Sequence, residues 1–235
     1  MKKRELIEQV KKIILRNANP SRIYLFGSQI DGNVSENSDI DIAYDCQDSK
    51  NDLLIKEEVE QISTLVKIDV VNITRVDARF KNRVIDTGKV IWSATKILRF
   101  EDSLINFRNA LGRYKTTIEG KTAYQRDGYG DIFLDIAVKR FEFTFEMAWK
   151  TCKRALDYYG FDCKSPRDCL REAYAQGFLS DENIWLDMLE QRNLSAHVYD
   201  EISVSEINSD LNRYLSAFEA LGEKLSNLLQ QETAH

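Results

Sequence analysis

The spacing of hydrophobic residues in the first part of the chain predicts an alternation of helices and strands. Residues 3–16 carry apolar side chains three and four positions apart, as a helix buried along one side does, and Pro20 ends this helix. Residues 51–66 repeat the helical spacing. Short apolar or alternating runs predict three strands, at residues 23–26, 39–44 and 67–73. The first 96 residues are therefore expected to form a small α/β domain with a mixed sheet.

The rest of the chain shows a purely helical pattern. Apolar residues step by threes and fours along three segments, 97–118, 134–159 and 207–228. Two shorter helices are expected between the last two segments, one after Ser165, which a proline follows, and one after Asp181. Residues 97–235 thus predict an all-α bundle, and the pattern places the domain boundary after residue 96, with almost no linker.

Composition and charge narrow the possible classes of protein. With 43% hydrophobic and 30% charged residues, the chain has the composition of a folded protein. Residues 1–96 carry 16 Lys and Arg against 15 Asp and Glu, whereas residues 97–235 carry 17 against 23. Neither half is therefore a broad nucleic-acid-binding surface. We expect a cytoplasmic protein without a membrane segment, because no apolar run approaches the roughly 18 residues that span a bilayer and no secretory signal opens the chain.

Cysteine and histidine usage limits the expected metal chemistry. The chain has four cysteines, at Cys46, Cys152, Cys163 and Cys169. They form no Cys-x-x-Cys pair and are irregularly spaced, so we expect reduced core thiols and neither a zinc module nor a disulfide framework. His197 is the only histidine apart from the C-terminal residue. A metal site is therefore expected to use carboxylate oxygens.

Three aspartates and a Gly-Ser pair form the candidate chemistry of the first domain. Asp39 and Asp41 lie two residues apart on a predicted strand, so both side chains project from one face and can share Mg²⁺. Gly27 and Ser28 offer backbone N–H groups and a hydroxyl to a phosphate. Asp69 lies in an apolar strand, where an unpaired charge is costly unless it meets a metal or a partner. Each feature also has a structural explanation, as a solvated strand face or a common turn. Together they supply what phosphoryl transfer at two metal ions needs.

The combination GSQIDGNVSENSDIDI, followed by KIDVV, resembles the minimal nucleotidyltransferase branch of the DNA polymerase beta superfamily. The resemblance implies a polymerase-beta-like fold and Mg²⁺-dependent transfer of a nucleoside monophosphate, usually AMP from ATP, to a hydroxyl. It implies that Gly27 and Ser28 hold the triphosphate. It further implies that Asp39 and Asp41 bind metal, and that Asp69 completes the metal site and lies beside the acceptor hydroxyl as a base.

The second domain has one segment with candidate chemistry, RNLSAHVY, which runs from Arg192 to Tyr199. Arg192 can hold a phosphate bidentately and His197 can move a proton near neutral pH, which together suffice for metal-independent cleavage of RNA through its 2′-hydroxyl. On a continuous helix the two side chains point about 140° apart, so they converge only at a helix end or with a partner subunit. A helix-capping histidine and a salt-bridged arginine are the structural alternative. Glu142 and Glu146 lie one turn apart, and the sequence does not distinguish them from a solvated helix face.

The segments FEFTFEMAWKTCKRALDYYG, SPRDCLREAYAQG and WLDMLEQRNLSAHVYDE resemble the HEPN domain of the nucleotidyltransferase substrate-binding type. The resemblance implies an Arg-x4-His-x-Tyr motif, met by Arg192, His197 and Tyr199, with Asn193 as the polar residue after the arginine. In toxin–antitoxin systems that pair the two families, the helical partner is a ribonuclease, and the nucleotidyltransferase silences it by adenylylating the motif tyrosine. This chain resembles both partners fused. The expected partners are ATP, RNA such as tRNA at the helical site, and a second copy in a homodimer.

Two other functions fit the same residues. One is a nucleotidyltransferase for small molecules, similar to aminoglycoside-modifying enzymes, in which the bundle only binds substrate. The other is an inactive regulatory or assembly module, against which the presence of Asp39, Asp41 and Asp69 argues. We predict the fused toxin–antitoxin protein, with Tyr199 as the AMP acceptor.

Overall fold

The structure is a computed structural model that describes residues 3–27, 39–195 and 201–233. It divides into two compact units, Met1–Arg99 and Phe100–His235. The boundary that the sequence indicates, after residue 96, lies a few residues before this division.

The first unit contains a four-stranded mixed sheet with helices on both faces. Its elements are α1 (Lys3–Asn17), β1 (Arg22–Phe26), β2 (Ile40–Asp45), α2 (Asp52–Glu60), β3 (Ile68–Asn72), α3 (Ala78–Thr87) and β4 (Lys89–Ser93). The strand order is β3-β2-β1-β4, with β2 and β3 parallel and β1 antiparallel to both β2 and β4. The predicted small mixed sheet is confirmed. The hydrophobic pattern did not predict α3, which buries only Val84, or β4.

Alternation along β2 separates the two faces of the sheet. Ile40, Ile42 and Tyr44 are buried in one core with residues of α1 and α2. Ala43 lies in a second, smaller cluster on the other face, with Tyr24, Ile73 and Val84. Because successive residues of a strand point to opposite faces, Asp41 lies on the same face as Ala43, which is the side that α3 covers. The carboxylate is therefore kept away from the main core.

Helix α2 ends at Glu60, although the apolar spacing predicts a helix to Val66. The Thr64 hydroxyl accepts a hydrogen bond from the backbone N–H of Val66 at 3.1 Å. This contact offers the backbone an alternative to the helix. The prediction of a helix over residues 61–66 was therefore wrong, and Leu65 is fully exposed, although Ile62 is buried and Val66 packs against the core.

The second unit is helical. Its elements are α4 (Lys96–Glu119), α5 (Lys121–Arg126), α6 (Gly130–Tyr158), α7 (Pro166–Ala175), α8 (Glu182–Ser195) and α9 (Glu201–Thr233). The Ser165 hydroxyl accepts a hydrogen bond from the N–H of Asp168, and the Asp181 carboxylate accepts one from the N–H of Asn183. Both predicted helix starts are thus confirmed, whereas α5 was not predicted. In the ranges that the structure describes, none of the helices is long and apolar enough to cross a membrane.

Aromatic side chains fill the core of this unit and hold α8 in place. The ring of Phe141 on α6 stacks on Tyr214 of α9 with centroids 5.1 Å apart, and Trp185 of α8 packs edge-on against Phe218 at 5.7 Å. The Tyr214 hydroxyl donates to Asp187 Oδ2 at 2.7 Å. Helix α8 is thereby fixed against its neighbours by both packing and a hydrogen bond.

Two of the cysteines correct the prediction of four reduced thiols. Cys163 and Cys169 form a disulfide, with Cα atoms 5.0 Å apart. The bond spans the turn at which Ser165 begins α7, and this turn brings together two cysteines whose spacing along the sequence is not that of a known framework. Cys46 and Cys152 are free and buried, as predicted.

Candidate functional site

Parallel pairing of β2 with β3 brings two of the predicted carboxylates together. Asp41 pairs in register with Asp69, so their side chains leave adjacent strands on one face of the sheet. Asp39 precedes β2 by one residue, and its charge acts on Asp41. Asp41 is half-buried, whereas Asp39 and Asp69 are exposed. The fold thus brings the three predicted aspartates to the same end of two strands.

Asp69 is not the buried charge that its apolar strand suggested. Its side chain is 53% exposed, and Lys67 Nζ lies 2.6 Å from its Oδ2 atom. The expected desolvation penalty is absent because Asp69 points away from the main core. An exposed ion pair of this kind contributes little to the stability of the fold.

Partial burial and neighbouring like charges both act on the Asp41 carboxylate. Partial burial, followed by the negative charges of Asp69 and Asp39, raises the pKa of Asp41 above its ordinary value, and Lys67 opposes this shift. Two carboxylates next to a third are favourable only where a cation offsets their repulsion. The site therefore has the charge of a cation-binding position.

Gly27 lies directly against the Asp41 carboxylate. Its φ angle is +73°, and a Cβ atom at this position would be 2.1 Å from Asp41 Oδ2. The register of β1 and β2 explains the approach, because Phe26 pairs with Asp41 and the next residue crosses beside the carboxylate. Only glycine adopts this backbone conformation without strain and leaves the space beside the oxygen open. Ser28 lies outside the described residues.

The residues present fit a divalent cation in their donor chemistry. Asp41 and Asp69 supply carboxylate oxygens, which Mg²⁺ prefers, and Gly27 leaves room next to Asp41. Across the residues that the structure describes, no group of three or more His, Cys, Asp or Glu side chains is arranged to hold a metal ion. In the present arrangement Lys67 contacts the Asp69 oxygen. The assignment of Asp39, Asp41 and Asp69 as metal ligands stays a prediction.

In the second unit, Arg192 contacts a carboxylate of another helix. Arg192 Nη2 on α8 lies 3.4 Å from Glu146 Oε2 on α6, and Arg192 Nη1 donates to Asn193 Oδ1 at 3.2 Å. Glu146 also accepts a hydrogen bond from Trp149 Nε1 at 2.9 Å, and Lys150 Nζ lies 2.8 Å from its other oxygen. Sequence reasoning missed the role of Glu146. The indole and ammonium donors three and four residues later were the available signal.

The Glu146 carboxylate is held in its ionised form. Burial opposes ionisation, but hydrogen bonds from Lys150 and Trp149, together with the charges of Lys150 and Arg192, hold the pKa of Glu146 below its usual range. Helix α8 is described to Ser195. His197 and Tyr199 lie outside the described residues, so their convergence with Arg192 stays a prediction.

Comparisons with known proteins match each unit to a family. The family described as "Nucleotidyltransferase substrate binding protein like" matches residues 98–227, which is more than half of the chain. The family described as "Polymerase beta, Nucleotidyltransferase" matches residues 8–97. A curated relative, the probable ribonuclease HepT of Haemophilus influenzae, is 29% identical over 105 residues, which are 40% of this chain and 68% of that protein.

Solved structures resemble the chain over about half its length. One is a substrate-binding domain of a nucleotidyltransferase from Haemophilus influenzae, with a TM-score of 0.48 and 24% identity over 52% of this chain and 98% of that one. Another is a tri-AMPylated HEPN toxin of Shewanella oneidensis in complex with an MNT antitoxin, with a TM-score of 0.45 and 12% identity over 55% of this chain and 96% of that one.

The family matches confirm the two resemblances that the sequence motifs indicated, and they cover the chain in the predicted order. The protein therefore belongs to the nucleotidyltransferase substrate binding protein like family, and it fuses this HEPN-like domain to a preceding polymerase beta nucleotidyltransferase domain.

Proposed function

We propose that the first unit transfers AMP from ATP to the hydroxyl of Tyr199, and that this modification silences a ribonuclease site at Arg192 and His197. One observation carries the transferase part. Asp41 and Asp69 are register partners on adjacent strands, and the bare backbone of Gly27 lies against Asp41. Membership of a nucleotidyltransferase family in residues 8–97 supports the reaction class.

The reaction assigns a role to each residue of the first site. Gly27 and Ser28 bind phosphate oxygens through backbone N–H groups and a hydroxyl. Asp39, Asp41 and Asp69 would hold Mg²⁺, which when bound offsets the charge of the triphosphate. The Tyr199 oxygen forms a bond to the α-phosphorus, the bond to pyrophosphate breaks, and pyrophosphate leaves.

Asp69 accepts the proton of the attacking phenol. A phenol has an ordinary pKa of about 10 and is a weak nucleophile at neutral pH, so the transfer requires a nearby base. In the present arrangement Asp69 is paired with Lys67. The exposed pair separates at low cost, which frees the carboxylate for the acceptor hydroxyl.

The second site would cleave RNA while Tyr199 is unmodified. Arg192 binds the phosphate, and His197 takes the proton of the 2′-hydroxyl as that oxygen attacks phosphorus. The 5′-oxygen leaves, with water supplying its proton. The similarity of the second unit to a probable ribonuclease supports this assignment. AMP on Tyr199 adds negative charge and bulk two residues from His197, which excludes an RNA phosphate.

Intact mass tests the acceptor. The full chain incubated with ATP and Mg²⁺ should gain one or more AMP groups, and peptide mapping should place them on Tyr199. Tyr199→Phe should abolish the label, whereas Tyr174→Phe, which removes another exposed tyrosine of the second unit, should retain it. Label that appears only on an added aminoglycoside, and never on the protein, would replace this proposal with the small-molecule transferase.

Cleavage of RNA tests the second site. Unmodified full chain should cleave tRNA or total RNA in the presence of EDTA, and the AMP-modified protein should not. His197→Ala should remove cleavage without changing AMP transfer. A folded, unmodified protein that leaves all RNA intact would favour a bundle that only binds substrate.

A mixture of two inactive variants tests whether a homodimer performs the transfer. Asp41→Asn lacks the transfer site but retains the acceptor, and Tyr199→Phe has the opposite defect. We expect the Asp41→Asn chains to be labelled in the mixture, as transfer between two copies requires. Labelling of the parent protein alone would assign the transfer to a single chain.

A further inference from the structure

Glu146 links three donors at the contact between α6 and α8. On its own helix it binds the Trp149 indole at 2.9 Å and the Lys150 ammonium at 2.8 Å. Across the interface it lies 3.4 Å from the Arg192 guanidinium. About a quarter of the Glu146 side chain is exposed, against 37% for Arg192, so solvent screens this contact only in part. A carboxylate fixed by two donors on its own helix is a rigid partner for a third.

The contact lies at the end of α8, next to the residues of the proposed ribonuclease site. Arg192 is in the last described turn of α8, immediately before the segment that contains His197 and Tyr199. Trp185, about two turns of α8 before Arg192, is buried against Phe145 and Phe218 and anchors the helix itself. The aromatic core therefore fixes the helix axis, while Glu146 acts on the arginine side chain.

We infer that Glu146 is a positioning residue that orients Arg192 for phosphate binding in the helical-unit site. The inference rests on the proposed ribonuclease site and adds a residue outside the Arg-His-Tyr motif. Neither RNA nor AMP needs to touch Glu146. Its effect passes through Arg192, whose guanidinium loses rotational freedom when one of its nitrogens is held.

Charge and orientation predict opposite kinetic effects, which makes the role testable. Removing a carboxylate beside Arg192 makes the site more positive, so electrostatics alone predicts tighter RNA binding and an unchanged turnover number. Loss of orientation predicts a lower turnover number, because a misplaced group reduces stabilisation of the transition state. A purely structural role predicts neither, but a lower unfolding temperature.

The experiment uses the unmodified full chain and the variant Glu146→Gln, which retains the shape and one oxygen acceptor. Glu219→Gln is the matched control, since Glu219 pairs with Lys115 across another helix contact at 2.8 Å. We expect kcat for RNA cleavage to fall about tenfold in Glu146→Gln, with KM unchanged or lower. The control should match the parent. Trp149→Phe, which removes one donor that fixes Glu146, should lower kcat by a smaller factor.

A second measurement does not depend on catalysis. Modification of Arg192 by phenylglyoxal, followed by peptide mass in the absence of RNA, reports how well the guanidinium is held. We expect the rate to rise several-fold in Glu146→Gln and to stay at the parent value in Glu219→Gln.

The two measurements separate failure of the inference from failure of the ribonuclease proposal. If the parent does not cleave RNA, the ribonuclease proposal fails and the Arg192 modification rate still decides the role of Glu146. An unchanged modification rate overturns the positioning role, whatever the kinetics. So does a Glu146→Gln variant that binds RNA more tightly with undiminished kcat, or one that loses activity only in proportion to the fraction unfolded.

Discussion

Strands β2 and β3 carry two pairs of polar residues that lie in very different surroundings. Near their beginning, Asp41 pairs with Asp69, and near their end Tyr44 pairs with Asn72. The two pairs use the same parallel register, three residues apart. They differ in their neighbours: the first pair consists of carboxylates, whereas the second pair donates hydrogen bonds to the carboxylate of Asp52.

The second pair belongs to a closed network around Asp52. Asp52 Oδ1 accepts a hydrogen bond from the Tyr44 hydroxyl at 2.6 Å and one from Asn72 Nδ2 at 3.3 Å, and Arg75 Nε lies 3.7 Å from Oδ2. Burial opposes ionisation, but Ser49, followed by these donors, holds the pKa of Asp52 below its ordinary value. At Asp41 partial burial, followed by the negative charges of Asp69 and Asp39, raises the pKa above its ordinary value.

The opposite shifts distinguish a carboxylate that the fold supplies with donors from one that lies among other carboxylates. A carboxylate that stabilises a fold is supplied with donors by that fold. Carboxylates assembled next to one another are unfavourable until a cation or substrate arrives, as is common at active sites. The comparison supports the proposed cation site without reference to family membership.

Asp41→Asn should have the largest effect. We expect AMP transfer to fall by at least about 10²-fold, because one oxygen donor of the cation site is lost. The unfolding temperature should stay the same or rise, since a repulsive charge is removed. Asp45→Asn, on the same strand and face, is the control and should transfer AMP at the parent rate. Mass measurement of the label and thermal unfolding test both statements, and transfer within a few-fold of the parent would remove Asp41 from the site.

Gly27→Ala should have the next largest effect. The added Cβ displaces the Asp41 carboxylate, and such a displacement lowers transfer by up to about 10²-fold. Gly128→Ala separates backbone strain from this contact, because Gly128 has a φ of +82° with nothing within 4 Å of a Cβ atom. Both variants should lose about 1–2 kcal/mol of stability, because a residue with a Cβ atom is strained at positive φ, and only Gly27→Ala should lose activity. Equal losses of activity would contradict the proposed contact with Asp41.

Asp52→Ala should affect stability and leave transfer intact. Removing the acceptor leaves the Tyr44 hydroxyl and the Asn72 amide without their partner, at a cost of about 2 kcal/mol. Urea unfolding measures the loss. Transfer per folded molecule should match the parent, and a large loss there would mean that this network is part of the active site.

The same variant gives a pH test. Because the pKa of Asp52 is lower in the folded protein than its ordinary value of about 3.9, its contribution to the free energy of unfolding is fully present above that value. The contribution is lost as the pH falls through the lower folded value. The stability difference between parent and Asp52→Ala should therefore shrink below about pH 4.

Tyr44→Phe should have the smallest effect. It removes one donor to Asp52 while Asn72 and Arg75 remain, so we expect a loss of about 1 kcal/mol and an unchanged rate of transfer. Urea unfolding of Tyr44→Phe, Asp52→Ala and the parent measures the three free energies of unfolding. A loss as large as that of Asp52→Ala would show that Tyr44 alone holds the network together.

Local patterns predicted the parts of the site that are close in sequence. The spacing of Asp39 and Asp41, and the glycine before them, indicated one half of the proposed first site. The register that pairs Asp41 with Asp69 could not be predicted, because parallel pairing depends on how distant segments pack. The contact of Glu146 with Arg192 joins residues 46 positions apart, and it could not be predicted from the sequence for the same reason.

Misleading local patterns account for the errors. Leu65 continues a helical spacing, but a hydroxyl of the neighbouring Thr64 competes for the backbone. Cys163 and Cys169 become neighbours only through the turn that begins α7. Apolar periodicity indicates which face is buried, and it does not indicate where a helix ends or which turn follows it.

The disulfide between Cys163 and Cys169 also changes how the second unit is connected. Lys164 lies between the two cysteines, before α7 begins, and is exposed, so we expect trypsin to cut after it. The fragment that ends with α6 and the fragment that begins with α7 would then remain one covalent molecule until a reductant is added. A single nick in this turn therefore does not detach Glu146 from Arg192, and the two halves of the helical unit migrate separately only on a reducing gel.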